Sequence, residues 1–260
     1  MMSKEMLNWG LSTLGCHTLS LPEAVALADE YDFHFVEIRA VSGTLDLPEM
    51  FKREENRAAL RKLVAAGRIR VLDTSFGITS PDEKAREAVL ALGKLADEFG
   101  VAYLRIFGGF PFEEELTEAR LVAARENLKW WKSTGIKAQL ALETHDGFSS
   151  AARCDRLFDF VGERLPVVWD MHHTWLAGES FAESYALLKD LVIDVHVKDS
   201  VGHKGTLPGQ GDVPVPEFLN FLRSIKYTGP VTLEYEKMWQ PEMPEIRLAL
   251  EALKKVWRNA

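Results

Sequence analysis

Four short stretches in the second half of the chain concentrate carboxylates and imidazoles: Leu142-Glu143-Thr144-His145, Trp169-Asp170-Met171-His172-His173, His196-Val197-Lys198-Asp199 and Leu233-Glu234-Tyr235-Glu236. Side chains alternate across a strand, so on a strand Gln139, Ala141, Glu143 and His145 share one face. By the same rule Asp194, His196 and Lys198 share another, as do Thr232, Glu234 and Glu236. Faced inward, consecutive strands would bring Glu143, Asp170, His196 and Glu234 toward one point. Three converging carboxylates repel one another and raise each other's pKa, and burying them unpaired is expensive. A divalent cation is the natural counter-charge. Three oxygen donors, one imidazole and no thiolate suit Mn²⁺, Mg²⁺, Co²⁺ or Zn²⁺, and the carboxylate-rich set favours Mn²⁺ or Mg²⁺. The competing reading is a structural ion network in which Arg39, Arg105 and Lys198 match these acids.

Something must hold those stretches at strand ends, and one alternation runs the length of the chain. Runs rich in β-branched and aromatic residues begin near Leu7, Phe33, Arg68, Val101, Lys137, Pro166, Val192 and Gly229, at intervals of 26 to 37 residues. A segment of helical periodicity follows each. Ser20-Leu-Pro-Glu23, Ser80-Pro-Asp-Glu83 and Ser180-Phe-Ala-Glu183 each read as a capping box opening a helix, with Pro81 at a first helical position. Ala85, Val89, Leu92, Ala96 and Phe99 form one apolar stripe, and Ile246, Leu250, Leu253 and Trp257 form another. Eight βα units predict an α/β fold, a single closed (β/α)₈ TIM barrel spanning residues 1–260 as one domain. A doubly wound open sheet is the runner-up, but no G-x-G-x-x-G follows the first strand. In such a barrel the chemistry sits at the C-terminal ends of the strands, where these polar residues fall. The other strand ends add Glu37-Ile-Arg39, Asp73-Thr-Ser75 and Arg105.

Composition narrows the function classes. The chain of 260 residues carries 31 Lys+Arg against 39 Asp+Glu, a net charge of −8, which argues against nucleic acid as the main partner. No apolar run approaches the ~18 residues of a membrane span. The start MMSKEMLNWG lacks a secretory pattern. Two cysteines, Cys16 and Cys154, make no disulfide framework. A cytoplasmic setting with no membrane partner is the expectation.

The stretches around Glu143, Asp170, His196 and Glu234, together with Gly209-Gln-Gly-Asp-Val213, resemble the sugar phosphate isomerase/epimerase family of the xylose-isomerase-like TIM barrel superfamily. The match runs through the whole chain in order. The resemblance implies a metal held by Glu143, Asp170, His196 and Glu234, substrate contact by His173, and Glu143 and Glu234 as the acid/base pair. Departures narrow it. Ketose 3-epimerases carry an arginine soon after the seventh-strand histidine; here the segment reads Asp199-Ser-Val-Gly-His203-Lys204. The additional histidines and D-x-H pair of endonuclease-IV-type enzymes are missing, as are the second-metal motifs of xylose isomerase proper.

The function expected from this is metal-dependent isomerisation or epimerisation of a small carbohydrate (a ketose, sugar phosphate or sugar acid) through an enediolate. Loss of a β-hydroxyl from the same intermediate would make the chain a dehydratase of a keto-cyclitol or hydroxy-ketoacid, the first alternative. A non-catalytic carbohydrate-binding barrel is the second. Lys198, Arg105, His173 and His145 are the candidates to contact a carbohydrate substrate. Trp9, Trp175 and Trp239 are candidates to wall a sugar ring, with core packing the alternative for Trp9. The glycine-rich stretch 202–211 either presents backbone N–H groups to an anion or is a plain loop. Family barrels often pair, so a homodimer is an open option.

Overall fold

The structure is a computed structural model that describes residues 7–80 and 82–260. Among the described residues, ten strands and ten α-helices follow in order: β1 (Asn8–Ser12), α1 (Leu21–Glu30), β2 (Phe35–Ile38), α2 (Leu47–Met50), α3 (Glu54–Ala65), β3 (Ile69–Gly77) and α4 (Glu83–Phe99). Next come β4 (Tyr103–Phe107), α5 (Glu118–Ser133), β5 (Gln139–Glu143), α6 (Ala151–Val161), β6 (Val167–Asp170), α7 (Met171–Leu176) and α8 (Phe181–Leu188). The chain ends with β7 (Val192–Val197), β8 (Asp199–Val201), β9 (Lys204–Thr206), α9 (Val215–Ser224), β10 (Pro230–Leu233) and α10 (Ile246–Asn259). Eight strands close a parallel barrel in the order β1-β10-β7-β6-β5-β4-β3-β2, and β8 and β9 form a separate antiparallel hairpin. Each barrel strand starts within two residues of its expected place. Among the described residues, no helix is long and apolar enough to cross a membrane.

Local chemistry sets the helix starts. Glu23 and Glu183 reach back to the backbone N–H of Ser20 and Ser180, completing both capping boxes. The third expected box does not form. Helix α4 begins at Glu83, and Asp82 caps it by accepting from Lys84 N at 2.9 Å, while Ser80 accepts from Asp82 N. A carboxylate one residue before the helix outcompetes a hydroxyl three residues before it. Pro81 lies outside the described residues. Val89, Leu92, Ala96 and Phe99 of the α4 stripe are buried, with Ala85 at its partly buried edge, and all four expected α10 residues are buried.

The barrel interior is apolar only at its lower end. There Gly10 leaves room for Phe35, whose ring would stand 2.2 Å from a Cβ at that position. Trp9 packs in the same region against Phe33 and edge-on against Trp257, so it is a core residue and walls no substrate pocket. Above this level every strand leads into at least one buried polar side chain: Ser12, Glu37, Asp73, Arg105, Glu143, Asp170, His196 and Glu234, with Asp194 and Thr232 buried on the same faces as His196 and Glu234. Polar groups buried together in this way must satisfy one another or hold something.

Candidate active site

Glu143 ends β5, Asp170 ends β6, His196 lies on β7 and Glu234 follows β10. Each offers one ligand atom, and these four atoms lie within 4.8 Å of one another. Asp170 is also the N-cap of α7, where its Oδ1 accepts from His172 N at 2.8 Å and His173 N at 3.2 Å. That cap returns His173 one turn later, so its Nε2 stands 3.8 Å from Asp170 Oδ2. His172 turns aside to Ser200 Oγ, 2.8 Å from its Nε2. Each histidine still offers a nitrogen within 4.8 Å of an Asp170 oxygen, so the geometry does not single out one of the adjacent pair, contrary to the sequence expectation that only one would approach the cluster.

The neighbouring charges are organised rather than scattered. His196 Nδ1 lies 2.8 Å from Glu143 Oε1, and its Nε2 lies 3.0 Å from Glu37 Oε2. Arg105 bonds Glu143 and sits 3.0 Å from Asp73 Oδ2 and 3.5 Å from Glu234 Oε1, with its guanidinium over the Phe107 ring. Lys198 Nζ lies 2.9 Å from Asp170 Oδ2, 2.7 Å from Glu234 Oε2 and 2.8 Å from Glu236 Oε1. Burial raises the Glu143 carboxyl, but Arg105 and His196 outweigh it and hold it at about 2. Burial likewise loses at Glu234, where Lys198 and His196 keep the carboxyl well below its ordinary range. At Asp170 burial wins over Lys198 and pushes the carboxyl up to about 6. Burial would lower His196, but Glu37 and Glu234 hold it well above the usual imidazole range.

The ion network weighed against a metal is therefore present, through Arg105 and Lys198. It does not neutralise the site. Seven carboxyl groups, Glu37, Asp73, Glu143, Asp170, Asp194, Glu234 and Glu236, share the barrel's polar interior with three cations, Arg39, Arg105 and Lys198. Glu37 Oε1 and Asp73 Oδ1 are buried and accept no hydrogen bond. Acid excess and an O₃N donor set fit a divalent cation.

Beside the cluster lies a cavity of about 210 Å³, walled by Glu234, Lys198, His145, His173, Glu236 and His203 among others. Glu143, Asp170, His196 and Arg105 lie behind that wall. Arg105, expected to touch substrate, is paired with the three carboxylates and is not among the residues walling this cavity. His145 packs against Phe107 and His173, with ring centroids 4.9 and 4.2 Å away. In the segment where ketose 3-epimerases carry an arginine, His203 lines the cavity and Lys204 is exposed at the start of β9. Trp239 is half exposed and Trp175 packs partly on the core.

The glycine-rich stretch is neither a free anion site nor an unstructured loop. Its first half pairs in the β8–β9 hairpin. In its second half, Asp199 Oδ2 accepts from the backbone N–H groups of Gly209, Gln210 and Gly211 at 2.8, 3.1 and 2.9 Å, and Oδ1 accepts from Ser200 and Val213. The anion for those amides is the chain's own carboxylate. Gly211 is required there, since a Cβ would lie 2.1 Å from Asp199 Oδ1. Glu37, Asp73 and Glu236 were not among the expected site residues. The alternation that found Glu143 on β5 places Glu37 and Asp73 inward on β2 and β3 as well.

The family model described as xylose isomerase-like TIM barrel matches residues 25–256. Among solved structures, the fold is similar to the probable 3-DHS dehydratase AsbF of Bacillus anthracis (17% identity, 95% of this chain and 98% of that one, TM-score 0.73). It is similar to 3-keto-D-glucoside 4-epimerase YcjR of E. coli (14%, 98% and 100%, 0.74). It is also similar to the IOLI protein with a bound zinc atom (17%, 97% and 97%, 0.72). No curated protein matches the sequence. At such identities the structural likeness speaks to fold alone, but the matched family model covers most of the chain: it belongs to the xylose isomerase-like TIM barrel family.

Proposed function

We propose that the chain is a metal-dependent isomerase or epimerase of a small hydroxy-carbonyl carbohydrate. The observation that carries this is the convergence of Glu143, Asp170, His196 and Glu234 beside a cavity that Glu234 and Lys198 help to wall. These four residues would hold the cation. When bound, a divalent ion polarises a substrate carbonyl and acidifies the neighbouring C–H. Glu234 reaches the cavity wall, and its ionised carboxylate suits removal of that proton. Glu143 is its partner in proton transfer, held ionised by Arg105 and His196. Lys198 and His173 face the same space and orient substrate oxygens, and His145 fixes His173 by ring packing. Proton return to the opposite face of the same carbon gives epimerisation, and return to the adjacent carbon gives isomerisation.

Loss of water from the same deprotonated substrate is the second reading, favoured by the fold's likeness to a probable dehydratase. Incubating Mn²⁺-loaded protein with a panel of ketoses, ketose phosphates and hydroxy-ketoacids in D₂O separates them. Deuterium entering a carbinol position without loss of water is the expected result. Release of water with an unsaturated product would establish the dehydratase. No exchange and no product with any panel member would overturn both.

A further inference from the structure

Two spaces open at the C-terminal end of the barrel, and they meet at one pair of side chains. The cavity beside the four-residue cluster, about 210 Å³, counts His145 and His173 among its walls. The same two imidazoles wall an open cleft of about 550 Å³, on the side of the loops that follow β4 and β5. Both side chains are only partly buried, so a molecule lying across the two rings touches both spaces. The inner cavity is smaller than the ~300–1,000 Å³ of pockets that enclose an ordinary ligand. A substrate held at the cluster finds its next room in the cleft.

The cleft is built rather than incidental. Gly108-Gly109-Phe110-Pro111-Phe112-Glu113 follows β4, and His145-Asp146-Gly147-Phe148-Ser149 follows β5. The two loops lock together where side chains are missing. The Phe110 ring stands 2.1 Å from the place of a Cβ on Gly147, and the Phe148 ring 2.9 Å from that of one on Gly108. Phe110 then meets Phe148 edge-on, with centroids 5.7 Å apart. Asp146 has a φ of 51°, in the left-handed region that is costly for a residue other than glycine. Ser149 Oγ donates to Asp146 O at 2.8 Å, which helps to hold that turn. The Asp146 carboxylate therefore leaves a fixed point in the cleft wall.

The lining selects a chemistry. Asp146, Glu113 and Ser149 offer acceptors to hydroxyl groups, and Pro111 and Phe112 offer apolar surface to the C–H face of a sugar ring. Among the described residues that line the cleft there is no lysine or arginine. His145 Nδ1 already stands 2.8 Å from Asp146 Oδ1. Like charges disfavour a phosphate or carboxylate in such a cleft, whereas a neutral polyol meets no repulsion.

We propose that this cleft binds a neutral sugar unit joined to the reacting hydroxy-ketone, which itself lies in the inner cavity. This rests on the function proposed above and names its substrate class: glycosylated ketoses rather than free monosaccharides.

The test is calorimetric titration of Mn²⁺-loaded protein with D-fructose and with three of its glycosides, turanose, lactulose and isomaltulose, which carry the second sugar at different positions. At least one glycoside is expected to bind roughly tenfold or more tighter than fructose, the scale of one hydrogen bond to a charged group. Whichever gains identifies the linkage. Phe112→Ala should reduce that advantage while leaving fructose affinity within about twofold, as should Asp146→Asn, since asparagine tolerates the left-handed backbone. No glycoside advantage in the wild type, or one undiminished in both variants, overturns the proposal. Should either variant lose its thermal transition, Glu113→Gln, at an exposed position, takes its place with the same force. Repeating the titrations without Mn²⁺ separates the two readings. Fructose binding that ignores the metal counts against the metal centre, whereas a glycoside advantage that depends on Phe112 and Asp146 keeps this site. Conversely, deuterium exchange into a free ketose with no glycoside advantage keeps the function and removes the cleft from it.

Discussion

His196 Nε2 lies 3.0 Å from Glu37 Oε2, across the barrel from the face of the same ring that meets Glu143. A carboxylate on one imidazole nitrogen fixes the tautomer and leaves the other free to ligate. Glu37→Ala should therefore weaken Mn²⁺ binding roughly ten- to a hundredfold. Glu37→Gln keeps an acceptor and should lose less. Calorimetric metal titration of both folded variants checks this, and unchanged affinity in Glu37→Ala would show Glu37 to be only a packing group.

Glu143→Gln and Glu234→Gln should each lower turnover by roughly 10²–10⁴-fold, the usual contribution of a positioned acid or base. The comparison is informative because only Glu234 walls the cavity. Assayed at saturating Mn²⁺, to restore any lost metal, Glu234→Gln should stay inactive. Recovery of its turnover there would remove Glu234 from the proton-transfer step.

Lys198→Met takes the ammonium from among Asp170, Glu234 and Glu236. Buried carboxylates left without a partner cost roughly 3–5 kcal/mol, so the metal-free variant should melt well below the wild type. A divalent ion then replaces the missing charge. Mn²⁺ should raise the Tm of Lys198→Met by more than it raises that of the wild type; equal increments would mean that the ammonium and the metal do not share the same acids.

Asp199→Ala removes the acceptor of five backbone N–H groups. Amide hydrogen exchange at Gly209, Gln210 and Gly211 should accelerate strongly, while amides of β4 and β5 keep their protection. Slow exchange at those glycines in the variant would locate their restraint elsewhere.

Burial pushes the Cys16 thiol up to about 12 and raises Cys154 as well. The folded chain thus keeps a proton that the unfolded chain releases near its ordinary thiol pKa. That contribution to stability is intact below the unfolded value and declines as pH climbs toward the folded one. Iodoacetamide labelling of the folded protein should stay flat between about pH 7 and about pH 9, while the urea-unfolded chain labels faster with rising pH. A pH-dependent rate in the folded protein would place a thiol at the surface.

The barrel and the four-residue cluster are legible in the sequence because both depend on local periodicity. Alternation along a strand places Glu143 with Gln139 and Ala141, and His196 with Asp194 and Lys198, whatever the rest of the chain does. Helix starts at Ser20 and Ser180 are local for the same reason. Barrel closure decides what lies opposite what. Only that closure sets Glu37 against His196, 159 residues away, and gathers three carboxylates around Arg105. The amides of the glycine-rich stretch are likewise taken by Asp199, a pairing that motif spacing alone does not contain. Periodicity tells which way a side chain faces. Which charges meet depends on strand stagger and the width of the closed barrel, which are properties of the whole sheet.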